Sequence, residues 1–245
     1  MLKNLQSRIQ HLPASGPSEA GPLSADVYAI RGESAWWIFD VGACDEAAAF
    51  IDSLPCETDG RESVLLKKNI VISHFHRDHF FNLSRILFDN LYVGRETFRH
   101  CDETIQTLAS CVNQQSPCKC VTVVDSPLDF EDGLQIRIEP IPSSHAKGSL
   151  MLVLGDDSSY DENSRGEQVA FLGDSTYPTV GHNKPDSYNV QLLFQQIQFL
   201  RNCPAQQYYM SHRRFAPREK SSILQVLESY YAMRKPNKNV IEISR

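Results

Sequence analysis

The chain has 245 residues, of which 41% are hydrophobic and 22% charged, and this composition is typical of one large globular domain. Its formal net charge of -6 and its sequence pI near 5.7 argue against a broad nucleic-acid-binding surface, which needs clustered Lys and Arg. No stretch approaches the ~20 consecutive apolar residues of a membrane span, and no apolar run follows Lys3 as it would in a secretory signal.

The first quarter of the chain predicts a leader, a hairpin and a helix, in that order. Residues 1–22 are rich in Pro and Gly, so we expect a loosely ordered leader before a single domain over 23–245. Two apolar runs, Ala25–Ile30 and Ala35–Phe39, flank a Gly-containing turn and predict a β-hairpin. Asp45–Leu54 has helical spacing and an acidic first turn, which is typical of an α-helix.

Strands and helices alternate through the middle of the chain. The β-branched run Asn69–Ser73 predicts a strand, and His79–Asp89 and Arg95–Val112 have helical spacing. The polar segment Asp156–Glu167 is expected to be an exposed loop between two strands. Further strands are predicted at Leu91–Val93, Val121–Val124, Leu134–Ile141, Ser149–Leu154 and Val169–Leu172.

The last quarter predicts two helices, Ser187–Arg201 and Ser221–Met233, and two strands, Gln206–Ser211 and Val240–Ile243. Runs of strands with interspersed helices favour an α/β protein with layered sheets and helices outside. Periodicity alone does not choose among the α/β architectures. We interpret the seven cysteines, an odd number, as free thiols of a cytoplasmic protein.

A cluster of metal-binding side chains follows the predicted strand Asn69–Ser73. Three of the eight histidines fall within six residues, together with one aspartate. Neutral imidazole and carboxylate are both common ligands of zinc. Because side chains at i and i+2 of an extended segment point the same way, His74 and His76 can reach one ion together. A bend after them lets Asp78 and His79 face a second ion.

The order His-x-His-x-Asp-His after a buried strand resembles the signature of the metallo-β-lactamase superfamily. That family places another His before a Gly-Ser pair, an Asp in a Gly-Asp step after an apolar strand, and a His at the end of a late strand. His145, Asp174 and His212 stand at these places, in this order. The family also tends to have an Asp-x-Gly-like step after an early strand, which Asp40-Val41-Gly42 resembles.

This resemblance implies an αββα sandwich of two mixed β-sheets flanked by helices. It also implies two divalent metal ions, with zinc as the first expectation and manganese or iron as alternatives. The implied ligands are His74, His76 and His145 for the first ion, Asp78, His79 and His212 for the second, and Asp174 as the bridge. Asp40 has two interpretations, as support for a ligand histidine or as a turn cap.

The implied function is a dinuclear metal-dependent hydrolase that attacks a small ester, thioester, lactone or phosphoester with a metal-bridging hydroxide. Asp78 and Asp174 are the expected catalytic residues. The ligand set is similar to that of glyoxalase II-like metallohydrolases, although the residues after His212 leave no room for their longer helical C-terminal domain. Two alternatives stay open: a mononuclear iron-dependent oxygenase that resembles persulfide dioxygenases, and a non-catalytic binding module.

Several residues near the predicted ligands are candidates for binding a small-molecule substrate with an anionic group. They are Lys147, His182, Arg213 and Arg214. The alternative for each is an ordinary solvated side chain. Phe80 and Phe81 follow the motif where many family members have small residues, so they either determine specificity or pack in the core.

Overall fold

The computed structural model describes residues 2–17, 22–57, 65–101, 120–155, 168–181, 184–212 and 216–243. Two six-stranded β-sheets form the centre of this structure. No helix in this part of the chain is long and apolar enough to cross a membrane. Its five cysteines are free thiols, as the sequence predicts.

The first sheet has the strand order β1-β2-β3-β4-β5-β6. Its strands are β1 Ile9–Leu12, β2 Val27–Arg31, β3 Ala35–Phe39, β4 Lys67–Ile72, β5 Asn90–Gly94 and β6 Cys120–Val124. The three pairs from β3 to β6 are parallel, whereas β1, β2 and β3 pair antiparallel, so the sheet is mixed. The predicted β2–β3 hairpin is confirmed.

The second sheet has the order β13-β12-β10-β9-β8-β7. Its strands are β7 Leu128–Glu131, β8 Gln135–Pro140, β9 Leu150–Gly155, β10 Gln168–Gly173, β12 Gln207–Met210 and β13 Arg218–Glu219. Only β10 and β12 pair parallel, so this sheet is also mixed. A separate antiparallel pair joins β11 Asp186–Asn189 to β14 Val240–Ile243.

Helices complete the layers on both sides. They are α1 Leu2–Ser7, α2 Asp45–Ser53, α3 Arg77–Phe80, α4 Arg95–His100, α5 Val190–Asn202 and α6 Lys220–Ala232, with a 3₁₀ turn over Phe81–Ser84. An apolar layer between the sheets includes Phe39 and Phe171. Ile51 of α2 packs on the outer face of the first sheet, and Leu193 of α5 packs on the outer face of the second. The predicted αββα sandwich is confirmed.

Local predictions differ from the structure in three segments. The segment His79–Asp89 does not form one helix, because the buried Asn82 side chain donates to the carbonyls of Val41 and Cys44. The helix expected from Ser187 begins at Val190, since β11 pairs with β14 instead. Within the expected loose leader, β1 pairs with β2 as an edge strand.

Two predicted segments fall partly or wholly outside the described residues. Helix α4 covers only the first six residues of the predicted helix Arg95–Val112, and residues 102–119 are not described. The predicted loop Asp156–Glu167 also lies outside, between the antiparallel strands β9 and β10.

Candidate metal centre

The predicted ligands gather at one edge of the sandwich, where strand ends of both sheets meet. His74 and His76 follow β4, Asp174 follows β10, His212 follows β12, and His145 lies in the loop between β8 and β9. Because β10 and β12 run parallel, their carboxyl ends lie side by side. Rigid strand ends hold side chains more firmly than free loops do.

A tight backbone contact fixes the loop that carries His145. Gly148 of this loop has a φ of 72°. Its carbonyl oxygen lies so close to Gly94, at the end of β5, that a Cβ atom added at Gly94 would be 2.0 Å from this oxygen. Only glycine permits such an approach. The Leu150 N–H also donates to the Ser73 carbonyl at 2.8 Å, which joins the second sheet to the end of β4.

The first group of side chains, which we call the first triad, consists of His74, His76 and His145. The Nε2 atoms of His74 and His145 each lie 2.9 Å from Nδ1 of His76. One ligand atom from each residue falls within 4.8 Å of the other two. Three imidazole nitrogens thus converge on one point.

The second triad consists of Asp78, His79 and His212. Oδ2 of Asp78 lies 3.0 Å from Nε2 of His212 and 3.5 Å from Nε2 of His79. His79 is fully buried, whereas the side chains of Asp78 and His212 are 15% and 23% exposed. The second triad therefore has a buried floor and a partly open side.

Asp174 lies between the two triads. Its Oδ2 atom is 3.5 Å from Nε2 of His145 in the first triad. The same oxygen is 3.5 Å from Nε2 of His79 and 3.6 Å from Nε2 of His212 in the second triad. One carboxylate oxygen thus faces both groups, which is the position that a bridging ligand needs.

These residues fit a pair of metal ions. Zinc–ligand bonds of ~2.0–2.2 Å in a tetrahedron place ligand atoms about 3.3–3.6 Å apart, close to the spacings around Asp174. His79 Nε2 and Asp174 Oδ1 are buried, and each lacks a hydrogen-bond partner in the described chain. Buried polar atoms without partners are costly unless a ligand satisfies them. The donor set of imidazoles and carboxylates suits zinc, manganese or iron.

Contacts on the far side of the ring orient three of the candidate ligand histidines. His145 Nδ1 donates to the Pro178 carbonyl at 3.0 Å, and His79 Nδ1 donates to Asp40 Oδ2 at 2.7 Å. His74 Nδ1 lies 2.9 Å from Ser73 Oγ. With the proton on Nδ1, the lone pair of Nε2 points to the centre, as a metal ligand requires.

Asp40 supports His79 rather than capping a turn. It is fully buried, has a φ of 60°, and accepts from the Ser73 N–H at 2.7 Å and the Ser73 hydroxyl at 2.8 Å. A left-handed non-glycine residue is uncommon and is kept only where its surroundings fix it. Of the two interpretations of Asp40, the geometry favours the one that orients a ligand histidine.

Sequence reasoning missed a second supporting carboxylate, Asp26. Its Oδ2 accepts from the His212 N–H at 2.8 Å, and its Oδ1 lies 2.6 Å from Nε2 of His11 on β1. Asp26 is fully buried, and His212 has a φ of 55°. The available signal was a carboxylate inside the apolar run Ala25–Ile30, where burial demands a partner.

The histidines of the first triad favour their neutral forms. Burial lowers the pKa of His74 well below its usual range. Burial and the neighbouring His145 lower the pKa of His76 to about 4, and burial also lowers the pKa of His145. Neutral imidazole is the form that binds metal ions.

The histidines of the second triad behave in the opposite way. Burial alone would lower the pKa of His79, but the carboxylates of Asp40 and Asp174 outweigh burial and raise it well above its usual value. For His212, burial is likewise outweighed, chiefly by the hydrogen bond to Asp78, and the pKa is raised. The second triad therefore favours positive charge, whether a proton or a metal ion supplies it.

The predicted substrate residues are less well placed by the structure. Lys147 lies two residues from His145, and its side chain is exposed. His182, Arg213 and Arg214 lie outside the described residues. Their role as an anion-binding group stays a prediction.

No protein-family model matches the sequence, and no curated protein matches it significantly. Solved structures do resemble it. A metallo-β-lactamase superfamily protein from Sulfolobus tokodaii is 16% identical, covers 94% of this chain and 89% of its own, and has a TM-score of 0.52. A B3 metallo-β-lactamase with an active-site glutamic acid is 12% identical, with coverages of 93% and 90% and a TM-score of 0.55.

A flavo di-iron protein variant from Thermotoga maritima is also similar, at 16% identity and a TM-score of 0.54. The match covers 84% of this chain and 52% of that protein. At such low identities, these similarities establish a shared fold and leave the reaction open.

Proposed function

This chain has the metallo-β-lactamase fold, and we propose that it is a dinuclear metal-dependent hydrolase of a small ester, thioester, lactone or phosphoester. The observation that carries the proposal is the position of Asp174. Its Oδ2 atom lies 3.5–3.6 Å from ligand nitrogens of both triads, so a single oxygen is available to two adjacent ions.

The proposed ligands are the seven side chains of the two triads and Asp174. When bound, two divalent ions supply Lewis acidity, which favours hydroxide over water at neutral pH and polarises the carbonyl or phosphoryl oxygen of a substrate. His74 and His79 are almost completely buried and form the floor of the site. A buried floor excludes bulk water from below, which strengthens electrostatic interactions with the reacting groups.

Asp78 is the proposed orienting group for the attacking water. Its side chain is 15% exposed against 8% for Asp174, so it borders the open side of the site. Burial would raise the pKa of Asp78, but the hydrogen bond and charge of His212 and the charge of His79 outweigh it and lower the pKa. An ionised Oδ2 near His212 Nε2 is therefore available at neutral pH to accept a hydrogen bond from water.

The fold supports one alternative of a different class, an iron-dependent redox enzyme. The flavo di-iron protein has the same fold, and imidazole and carboxylate ligands suit iron as well as zinc. A non-catalytic binding module stays a weaker alternative, because ligand candidates stand at all seven metal positions.

Elemental mass spectrometry of freshly purified protein tests the proposal. We expect about two zinc or manganese ions per chain. In a separate screen of thioesters, lactones and phosphodiesters, we expect the metal-loaded chain to hydrolyse at least one of these substrates. About one iron ion per chain, with activity toward a sulfur or oxygen substrate, would favour the redox enzyme. A protein that binds no metal even after reconstitution would refute both enzymatic functions.

A further inference from the structure

A cavity of about 320 Å³ lies beside the second triad. Most of its walls are apolar, and its lining consists of Pro22, Leu23, Ala43, Arg77, Asp78 and Phe81. Asp78 belongs both to this lining and to the second triad, so the cavity adjoins the candidate metal centre at this residue. A group bound in the cavity would lie next to the proposed reaction site.

We propose that this cavity binds the apolar acyl group of the substrate and selects a branched or ring-sized group over an acetyl group. The inference rests on the proposed hydrolase function, since it names the substrate class of the same site. Small-molecule sites are mostly apolar clefts of ~300–1,000 Å³. The cavity volume of about 320 Å³ is roughly twice the ~150 Å³ that holds benzene in a dry protein cavity.

The cavity walls are attached to the segment that carries the metal ligands. The Ala25 N–H donates to the Asp78 carbonyl at 3.0 Å. On the neighbouring wall, the Ala43 N–H donates to Ser24 Oγ at 2.9 Å, and both residues are buried. Hydrogen bonds of this kind fix the walls relative to Asp78 before a substrate arrives, which lowers the entropy cost of binding.

The two adjacent phenylalanines of the motif have different surroundings. Phe80 packs against the apolar layer outside the first sheet, as the core-packing interpretation predicts. Phe81 lines the cavity, and the guanidinium carbon of Arg77 lies 4.3 Å from the centre of its ring. A cation over an aromatic face is attracted to it, so Arg77 helps to hold this ring in the wall. Leu23, 43% exposed, adds an apolar side chain.

Hydrolysis of a matched thioester series tests the inference. The substrates are S-acetyl, S-isobutyryl and S-phenylacetyl N-acetylcysteamine, so that only the acyl group changes. We expect kcat/KM of the metal-loaded wild-type chain to be at least about tenfold higher for phenylacetyl than for acetyl. Ala43→Leu narrows the cavity and Phe81→Ala removes an aromatic ring from its lining, and each should cut this ratio several-fold. Leu87→Ala, a 76% exposed side chain outside the lining, is the matched control and should leave the ratio unchanged.

Direct binding separates this inference from the proposed function. Isothermal titration of the same proteins with phenylacetate and acetate should show tighter phenylacetate binding to wild type, weakened several-fold in either cavity variant. Preferential binding by a chain that hydrolyses no ester, thioester, lactone or phosphoester would support the cavity and refute the hydrolase. Hydrolysis with equal rates and equal affinities across the series would overturn the cavity and leave the hydrolase intact. If Ala43→Leu does not fold, Phe81→Ala still decides the outcome.

Discussion

The two triads of the candidate metal centre differ in what holds their side chains. In the first triad, the Ser73 hydroxyl contacts the ring of His74 and the Pro178 carbonyl contacts the ring of His145. In the second triad, two buried carboxylates hold the histidines. Asp40 accepts a hydrogen bond from the side chain of His79, and Asp26 accepts one from the backbone N–H of His212. The first triad is a set of neutral imidazoles, whereas the second is surrounded by negative charge.

This difference indicates that the two ions would be bound with different strength. Carboxylate partners raise the basicity of ligand histidines and attract a cation, so the second triad should retain its ion more firmly. The first triad itself contains no carboxylate, and the carboxylate of Asp174 is shared between the two triads. The following experiments test this asymmetry.

Asp174→Ala should have the largest effect, because it removes the oxygen common to both triads. We expect metal content to fall from about two ions per chain to below one. Since two ions would contribute several kcal/mol of transition-state stabilisation in the proposed hydrolase, kcat/KM should drop roughly a thousandfold. Elemental analysis measures the metal content, and steady-state kinetics measure kcat/KM. Asp52→Ala, on the exposed face of α2, serves as the control. Unchanged metal content in Asp174→Ala would show that the oxygen is not shared.

His76→Ala should break only the first triad. Its Nδ1 is the atom that His74 and His145 both approach, so its loss leaves two imidazoles. We expect about one ion per chain, loss of activity, and an unchanged near-ultraviolet circular dichroism spectrum because the sandwich stays folded. His100→Ala, an exposed histidine of α4, is the control. Full turnover by His76→Ala would contradict the site assignment.

Asp40→Asn should weaken the second triad selectively. Asn tolerates the left-handed backbone conformation of this position. Because its side chain is uncharged, the pKa of His79 should fall. Changing a group that hydrogen-bonds to a metal ligand typically costs ~10–100-fold in metal affinity, and we expect a loss in this range for one ion only. Competitive chelator titration measures both affinities.

Asp26→Asn is the matched comparison, with a smaller expected loss, because the amide oxygen still accepts from the His212 N–H. If Asp40→Asn releases the ion of the first triad instead, the asymmetry between the triads is the reverse of the one inferred.

The pH dependence of the free energy of unfolding of the metal-free protein should show the same asymmetry. We expect this effect to be the smallest of those predicted. Folding lowers the pKa of His76 from 6.5 to about 4, so its contribution to stability is present above pH ~6.5 and is lost as pH falls toward 4. Folding raises the pKa values of His79 and His212, so these residues have the opposite effect. Their contribution to stability is present below pH ~6.5 and is lost as pH rises through their pKa values in the folded protein.

Urea unfolding between pH 4 and 9 measures this balance. We expect His76→Gln to flatten the acid side of the stability profile and His212→Gln to flatten the alkaline side. Identical effects of the two substitutions on the profile would mean that the triads do not differ in charge.

The sequence predicted those parts of the site that are close together in the chain or ordered like a known family. His74 to His79 form one continuous motif, and the later ligands follow the order of that family. Asp26 was not predicted, since its partner His212 lies 186 residues away and is contacted through its backbone. Local pattern carries no information about such a pairing.

Tertiary contacts also explain the errors in secondary structure. The Asn82 amide binds the loop after β3, so helical spacing over His79–Asp89 is overridden. Edge strand β1 is stabilised by β2 and by the His11–Asp26 contact, which the Pro and Gly content of its surroundings does not reveal. The cavity beside Asp78 was not predicted either, because its lining comes from three separate segments.

The position of the ligands at the junction of the two sheets has a further consequence. His76 follows a strand of the first sheet, while Asp174 and His212 follow strands of the second. A bound ion is therefore a cross-link between the layers, and at a free-ion concentration about a thousand times its Kd it adds ~4 kcal/mol to the free energy of unfolding. The supply of metal in the surroundings would then set how long this protein survives as well as how fast it reacts.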